Sequence, residues 1–162
     1  MIALLEWGCW VCVMVKQNMN VDEVEDLLSR ALVGRLGMCM GGKPYIVPVC
    51  FIYHNNRIYF HSSPRGRKMS YMKVNPNVCF QVDEYRLVPS EMPCKFTMHY
   101  RSVLVFGRVH FIADLGEKLR VLRLMMGKYD PNGVAKPLDE SMIGGVEVGE
   151  IIIEEITGRK NE

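Results

Sequence analysis

The sequence predicts a mainly β (α+β) protein, in which about six antiparallel strands form a small closed or partly open barrel with two or three flanking helices. Most strand-like segments follow one another through hairpins or short links, which favours antiparallel pairing over βαβ units. One segment, Tyr45–Tyr53, is apolar on both faces and therefore needs cover on both sides. A barrel also removes the exposed edges that so many strands would otherwise leave.

The first half of the chain contains one helical pattern and three strand patterns. Asn20 and Glu23 form a capping box at the start of an amphipathic helix that ends near Gly34. Asn55 and Asn56 can supply the positive φ angles of a tight hairpin. The predicted strands are Arg35–Met40, Tyr45–Tyr53 and Arg57–Ser62.

The second half predicts two helices and three longer strands. Ser63 is the expected N-cap of a short helix, with Pro64 in its first position, and Asp114 with Glu117 forms a second capping box. Gly107 marks a point where a barrel strand can bend or bulge. The predicted segments are a helix at Arg65–Val74, a strand at Val78–Asp83, a polar loop at Tyr85–Lys95, a strand at Phe96–Ile112, a helix from Leu115 to Met126 and a strand at Val146–Ile156.

Length and composition indicate one globular domain. The 162 residues are 49% hydrophobic and 23% charged, and the formal net charge is +2. So small a net charge gives no general attraction to nucleic acid or to an anionic membrane, so we expect neither as a partner. Cys39, Cys50 and Cys79 lie in apolar runs where a free thiol behaves as a small hydrophobe, which favours a reduced, cytoplasmic setting.

The N-terminal residues form a separate apolar stretch that begins MIALLEWGCWVCVMV. Its lack of a basic start and of a small-residue cleavage site argues against a signal peptide, as does Glu6, and the stretch is too short to span a bilayer. We interpret residues 1–19 as an extension of unknown role, with a docked strand or helix as the alternative, and residues 20–162 as the domain. Cys9 and Cys12 have no second pair at zinc-site spacing, so no metal site is predicted.

The segment from His61 to Lys68 has the highest density of groups able to bind an anion. It combines two hydroxyls and the start of a helix with three cations. A helix N-terminus stabilises an anion, and Arg can hold a phosphate through two parallel hydrogen bonds. The sequence alone leaves two interpretations open, a phosphate-binding loop and a solvated basic turn with an ordinary cap.

His61 and Pro48 are also ambiguous from the residues alone. His61 ends a strand beside the basic loop, so it is either structural or a group for acid–base work or contact with a bound ring. Pro48 cannot donate to a strand ladder, so it lies at an edge or a bulge, with or without a planar ligand against it. No Ser-His-Asp, paired-carboxylate, Walker-type or GxGxxG motif accompanies them.

An ordered set of segments resembles the pyridoxamine 5′-phosphate oxidase-like, FMN-binding split-barrel proteins, and among them the nitroimidazole-resistance (nitroimidazole reductase-like) branch. The set is GRLGM (Gly34–Met38), KPYIVPVCFIY (Lys43–Tyr53), IYFHSSPRGRK (Ile58–Lys68), NPNVCFQV (Asn75–Val82), YRSVLVFGRV (Tyr100–Val109), MGKYDP (Met126–Pro131) and IEEITGR (Ile153–Arg159). The resemblance implies a six-stranded antiparallel split β-barrel that forms a homodimer with two flavins at the subunit interface.

The same resemblance implies which residues form the flavin site. Ser62, Ser63, Arg67 and Lys68 would hold the FMN phosphate, and His61 would lie beside the flavin and contribute to activity. The residues expected near the isoalloxazine are Val47, Pro48, Val49 and Ser102. Cys50 departs from the family pattern, in which relatives often carry a polar residue.

The resulting functional hypothesis is an FMN-dependent oxidoreductase that reduces a small aromatic acceptor such as a 5-nitroimidazole. FAD is the alternative cofactor, since a phosphate loop binds either if the pocket is open beyond it. The alternative functions are a flavin-binding or storage protein without turnover and a pyridoxamine 5′-phosphate oxidase proper. The last is less favoured because the chain lacks recognisable substrate-phosphate residues near its C-terminus.

Overall fold

The computed structural model describes residues 17–92 and 96–161. The prediction for the apolar stretch, including Cys9 and Cys12, lies outside these residues. The described chain contains seven strands, three α-helices and a short 3-10 helix at Glu140–Met142. In chain order they are β1 (Gln17–Asn18), α1 (Val21–Arg30), β2 (Val33–Met40), β3 (Lys43–His54), β4 (Arg57–Ser62), α2 (Arg67–Val74), β5 (Asn77–Val88), β6 (Thr97–Phe111), α3 (Leu115–Tyr129) and β7 (Glu147–Asn161).

Six of the strands close into a ring. The order across the sheet is β1-β7-β4-β3-β2-β5-β6, and β6 also pairs with β7. Every pairing is antiparallel, and β1 is a two-residue addition to the edge of β7. The predicted six-stranded antiparallel barrel with flanking helices is therefore confirmed.

Two groups of buried side chains hold the ring and its helices together. Inside the barrel, aromatic rings from three strands meet, and the rings of Phe51 and Phe80 pack edge to face at 4.8 Å. Outside it, α3 covers Ile52, Tyr59 and Val148 on the outer face of β3, β4 and β7. No helix of the described residues covers the rest of that outer face, which β6, β5, β2 and the first half of β3 form.

Several local predictions are confirmed. The Asn20–Glu23 capping box forms with both hydrogen bonds at 2.9 Å, and Asn55 and Asn56 adopt φ angles of 51° and 56° in their hairpin. The register of β6 against β7 shifts between Phe106 and Gly107, so the predicted bulge is present.

Other predictions are wrong. The short helix begins at Arg67 rather than Arg65, and its N-cap is Gly66 rather than Ser63, because the loop after β4 turns through a Gly66 φ of 110° before the helix starts. The predicted polar loop is shorter than expected, because β5 continues to Val88 against β6. The second capping box is half formed, since Asp114 accepts from the Glu117 backbone at 2.7 Å.

The predicted environments of the cysteines are also partly wrong. Cys39, Cys50 and Cys79 are free thiols, as expected, but Cys39 and Cys50 are exposed and Cys79 is partly buried. All three lie on the face of the sheet that no helix covers, because each alternates with inward-facing core residues along its strand. The apolar runs around them therefore do not bury the thiols within one chain.

The ring is split between β3 and β4. These strands pair only from Phe51↔Phe60 to His54↔Arg57. Within the described part of the chain, β3 pairs with β2 alone before Phe51, and β4 pairs with β7 alone beyond Phe60. Because β3 and β4 separate here, the backbone edge of the first half of β3 is not paired by β4. The end of β4 leads instead into the segment from His61 to Lys68.

Candidate functional site

The candidate site lies at this split, where β4 ends at Ser62 and α2 begins at Arg67. The connecting residues turn outward and are exposed from Ser63 to Gly66, whereas Ser62 is buried. The rings of Tyr45 on β3 and Tyr71 on α2 lie 5.2 Å apart and attach the helix to the free half of β3. The loop and the open strand edge are thus held next to each other.

The N-terminus of α2 has the features of an anion site. Gly66 has no side chain to cap the helix, and the first turn contains no acidic residue. A Cβ at Gly66 would meet nothing within 4 Å, so the space in front of the helix is open. The first N–H groups of any helix lack an intrahelical acceptor and carry partial positive charge. This arrangement fits a phosphate group.

Three cations surround that helix start, and no carboxylate of the described residues pairs with any of them. The Arg67 guanidinium lies 5.5 Å from the centre of the Tyr45 ring, and the Lys68 ammonium lies 5.7 Å from the centre of the Phe60 ring. Burial lowers the pKa of Lys68. A bound dianion would counter this, because an opposite charge favours the protonated amine.

The two serines hold the loop in shape. The Ser62 hydroxyl donates to the Ser63 carbonyl at 3.0 Å, and the Ser63 hydroxyl accepts from the Arg65 backbone at 3.4 Å. The Ser63 side chain is exposed and its hydroxyl acts as the acceptor in that bond, so its O–H can still donate to a ligand. Ser62 is 6% exposed, which makes its present contribution one of loop geometry.

His61 is the last exposed side chain of β4 before the loop. Although the ring is exposed, the neighbouring protein removes enough water to lower the pKa of His61, and the Lys68 ammonium lowers it further. A lowered pKa leaves the imidazole neutral at neutral pH, when it can both donate and accept a hydrogen bond.

The three β3 residues expected along the flavin divide between two faces. Val47 and Val49 point into the barrel, and Val49 is 6% exposed. Pro48 points outward, between the exposed Ile46 and Cys50. Pro48 pairs with Arg35 on β2, and no strand of residues 17–92 or 96–161 pairs with its other side, so its predicted edge position is confirmed. A ligand on this edge would contact the backbone of all three residues. Pro48 is the only one of the three whose side chain it would also contact.

Ser102 does not join the other candidate residues within one chain. It lies on the outer face of β6, opposite Asp83 of β5. With β5 and β2 between them, β6 and β3 are about 14 Å apart along the sheet, at three inter-strand spacings. The single chain therefore brings together the loop and β3, but not Ser102.

Lys128 and Tyr129 at the end of α3 also contact β3 beside the site, and neither was predicted as a site residue from the sequence. The Phe51 backbone N–H donates to the Tyr129 hydroxyl at 2.8 Å, and that hydroxyl lies 2.6 Å from the Leu32 carbonyl oxygen, which can accept its proton. The Lys128 ammonium donates to the Phe51 carbonyl at 3.2 Å. These bonds fix β3 at the residue where it leaves β4. The only signal in the sequence is the pair Lys128-Tyr129 at the end of a helical pattern.

Within residues 17–92 and 96–161, no group of three or more His, Cys, Asp or Glu side chains is placed to hold a metal ion. In the same ranges, no helix is long and apolar enough to cross a membrane.

Comparison with known proteins agrees with this fold. The family model of pyridoxamine 5′-phosphate oxidase matches residues 20–160. The chain therefore belongs to the pyridoxamine 5′-phosphate oxidase family.

Individual relatives are distant in sequence but similar over most of their length. An uncharacterized protein from Rhizobium meliloti (strain 1021) is 29% identical over 138 residues, which are 81% of this chain and 84% of the relative. A crystal structure of a candidate 5-nitroimidazole antibiotic resistance protein from Bacteroides thetaiotaomicron is 27% identical with a TM-score of 0.77 and covers 91% of both chains. An FAD-binding protein from Mesorhizobium loti is also 27% identical, with a TM-score of 0.68, and the match covers 92% of this chain and 100% of that protein.

Proposed function

We propose that this protein is an FMN-dependent oxidoreductase that reduces a small aromatic acceptor such as a 5-nitroimidazole. The observation that carries the proposal is the start of α2, where a helix without a side-chain cap or an acidic residue faces open space between unpaired cations. Membership of the pyridoxamine 5′-phosphate oxidase family and the resemblance to a flavin-binding protein support it.

In this proposal the loop holds the phosphate of the flavin. The backbone N–H groups at the start of α2 and the Ser63 hydroxyl donate to phosphate oxygens, and Arg67 and Lys68 supply the opposite charge. Ser62 keeps the loop in its turn through its bond to the Ser63 carbonyl. The ring system then lies along the free edge of β3 at Val47, Pro48 and Val49, where no other strand of the described chain competes for the backbone.

The bound flavin supplies the electron and hydride chemistry, and the protein positions it. His61 borders both the phosphate loop and the strand edge, so its imidazole can hydrogen-bond to an acceptor above the ring. Because its pKa is lowered, His61 is neutral at pH 7, so its free ring nitrogen can take up a proton from solvent, and the imidazolium that forms can give that proton to the reduced acceptor.

We also propose that the active form is a homodimer with the flavins at the interface. The outer face of β3, β2, β5 and β6 exposes apolar side chains that no helix of the described residues covers, including Ile46 at 63% and Phe106 at 42%. Cross-strand pairing aligns residues in rows on this face, one running Pro48, Arg35, Gln81, Leu104. A two-fold axis parallel to the strands, between β2 and β5, would lay β6 of one protomer over β3 of the other. Ser102 would then reach the β3 edge of the partner.

FAD is the second candidate cofactor. The Mesorhizobium loti protein is described as FAD-binding and matches almost the whole of this chain, and the space in front of α2 is open beyond the phosphate position. A storage role without turnover is the alternative function, and the exposure of His61 in the single chain favours it.

The experiment combines cofactor identification with turnover. The purified protein should carry a yellow chromophore, which mass spectrometry identifies as FMN or FAD. After anaerobic reduction of the flavin, addition of a 5-nitroimidazole should restore the oxidised spectrum. The variant His61→Ala should keep the flavin and slow this step at least tenfold, whereas His110→Ala, which removes an exposed histidine of β6, should leave the rate unchanged. A colourless protein that takes up no flavin contradicts the proposal, and bound flavin that no acceptor reoxidises favours storage.

The dimer has its own test. The variant Ser102→Cys would place a thiol opposite the native Cys50 of the partner, so a short thiol-reactive crosslinker should yield a covalent dimer. Adding Cys50→Ala should abolish that product. Sedimentation that shows a flavin-bound monomer at micromolar concentration would contradict the dimer.

A further inference from the structure

A cleft between α1 and α3 runs over the last residues of β3 and has a volume of about 220 Å³. Its lining residues are Ser29 of α1, Ile52, Tyr53 and His54 of β3, and Leu124 and Lys128 of α3. None of them belongs to the proposed flavin site. An apolar cavity of about 150 Å³ can hold a benzene-sized ring, so this cleft has room for one small organic molecule.

The walls of the cleft combine apolar surface with a few polar groups. Ile52 is 5% exposed, and the Leu124 side chain and the Tyr53 ring add further apolar surface. The Tyr53 hydroxyl donates to Glu25 of α1 at 3.3 Å, which ties β3 to that helix. Pockets of this composition suit a ligand with an apolar body and one polar group.

Lys128 is the group in the cleft with chemical reactivity. Its amine lies 3.2 Å from the Phe51 carbonyl oxygen, and no carboxylate of the described residues pairs with it. Burial lowers the pKa of Lys128 to about 8 from 10.5, and Cys50 opposes part of this shift. The other titratable groups that surround the amine are Tyr53, His54 and Tyr129.

Lys118 on the same helix provides the contrast. Its ammonium forms an ion pair with Glu147 at 3.0 Å. A carboxylate at that distance favours the protonated form, which has no lone pair to donate. A lysine that loses its water without gaining a carboxylate instead becomes a nucleophile near neutral pH. The two lysines of α3 therefore differ in the property that covalent chemistry requires.

We propose that this cleft binds small aldehydes with an aliphatic or benzene-sized body, and that the Lys128 amine forms an imine with their carbonyl carbon. The proposal does not rest on the proposed function, since the cleft contains none of the flavin residues. Aldehydes fit because their apolar body matches Ile52 and Leu124 while their one polar group is the electrophile that an amine attacks.

The chemistry needs no oxidant or reductant. The nitrogen lone pair adds to the carbonyl carbon, and the carbonyl oxygen takes up a proton as the nitrogen gives one up. Loss of the hydroxyl as water then leaves a carbon–nitrogen double bond. His54 and the Ser29 hydroxyl line the same cleft and can pass these protons. The apolar wall limits the water that would hydrolyse the imine.

Reductive trapping tests the proposal on the protein as purified. Benzaldehyde is added at pH 8 with cyanoborohydride, which reduces the imine to a stable secondary amine that peptide mapping locates. About half of the Lys128 amines are neutral at this pH, against about 0.3% for an ordinary lysine. Lower basicity offsets part of that advantage, so Lys128 should react at least fivefold faster than Lys118 or the exposed Lys73. Equal rates at the three lysines would overturn the proposal.

Two further measurements separate a binding site from a merely reactive amine. The rate at Lys128 should saturate with benzaldehyde concentration, whereas the rate at Lys73 should rise linearly. Ser29→Leu fills the rim of the cleft and should slow Lys128 at least fivefold, and Asp22→Leu, at an exposed position of α1 outside the cleft, should leave it unchanged. A linear dependence at Lys128, or equal rates in the two variants, would show that no aldehyde occupies the cleft and would overturn the proposal.

Discussion

The cations on the two sides of the barrel have different kinds of partner. Along the seam between β6 and β7, the strands pair almost end to end, and the neighbouring cations are matched: Arg30 bonds to both oxygens of Glu84 at 2.6 and 2.5 Å, and Lys160 bonds to Glu23. At the split between β3 and β4 the strands separate, and Arg67 and Lys68 have aromatic neighbours but no carboxylate partner among the described residues.

This difference separates stabilising charges from binding charges. The ion pairs of the seam lower the pKa of Glu84 and of Glu23, which shows that each carboxylate is held by a cation. Lys68 at the split loses part of its hydration and gains no ion pair among the described residues, which stability alone would not favour. The anion site that we propose requires cations without a carboxylate partner.

The largest effect should follow from removing the free cations. Arg67→Ala with Lys68→Ala deletes two charge-assisted contacts worth about 1.5–3 kcal/mol each, so FMN binding should weaken at least a hundredfold. Riboflavin lacks the phosphate and should lose far less. Fluorescence titration of both ligands measures this, with Lys73→Ala in the last turn of the same helix as the control. Equal losses for FMN and riboflavin would remove the phosphate assignment.

At the seam, a substitution that disturbs packing should destabilise the fold. A Cβ at Gly107 would lie 2.2 Å from the backbone oxygen of Ile152, which cannot move without disturbing the bulge. Gly107→Ala should therefore destabilise the fold by about 2 kcal/mol, in the range for overpacked sites, and leave the preference for FMN over riboflavin unchanged.

Gly127→Ala provides the matched control for that substitution. Gly127 lies inside α3 with nothing within 4 Å of its Cβ position, so alanine there should stabilise the protein by about 0.5–1 kcal/mol. Urea unfolding of both variants gives the comparison. If Gly107→Ala also stabilises the protein, the short distance from the Gly107 Cβ position to the Ile152 backbone oxygen does not require glycine there.

The sequence predicted the strands at the split more closely than those at the seam. The bounds of β4 are as predicted, whereas the predicted end of β7 at Ile156 is wrong, because β7 continues to Asn161 against β6. Alternation, capping boxes and the Asn55-Asn56 turn are local signals, and each fixed an element close to its observed bounds.

The predicted N-cap of α2, Ser63, was wrong because both Ser63 and Gly66 suit a helix start. Only the path of the loop decides between them. The extension of β5 to Val88 was missed because its alternating residues end in a polar, proline-containing stretch that is typical of a loop.

The site was predicted in part, for a similar reason. The density of cations after His61 is visible in the sequence, whereas the absence of carboxylates around them depends on which strands meet. The contact of Lys128 and Tyr129 with Phe51 joins residues 77 and 78 positions apart, which no local pattern encodes. Ser102 came from family resemblance alone, and its distance from β3 within one chain is a property of the strand order.

The last predicted effect concerns Lys128, which is neither ion-paired like the cations of the seam nor part of the proposed phosphate site. Its ammonium sits 4.2 Å from the centre of the Phe51 ring at the start of the split and donates to a carbonyl rather than a carboxylate, and burial lowers its pKa to about 8 from 10.5. Below pH 8 both folded and unfolded chains carry the proton, and the folded state is penalised for it. Between pH 8 and 10.5 the folded chain loses the proton first, so stability should rise with pH and level off above that window.

Two substitutions that do not titrate in this range, Lys128→Met and Lys128→Arg, serve as references for that rise. The free energy of unfolding of wild type relative to either variant should increase between pH 7.5 and 10.5 by about 1 kcal/mol, less than full burial would give because the side chain is partly solvated. Urea unfolding at both pH values measures it, and other titrating groups cancel in the difference. A difference that stays flat would mean that the ammonium is hydrated in the folded state, so that the start of the split would be wetter than its contacts indicate.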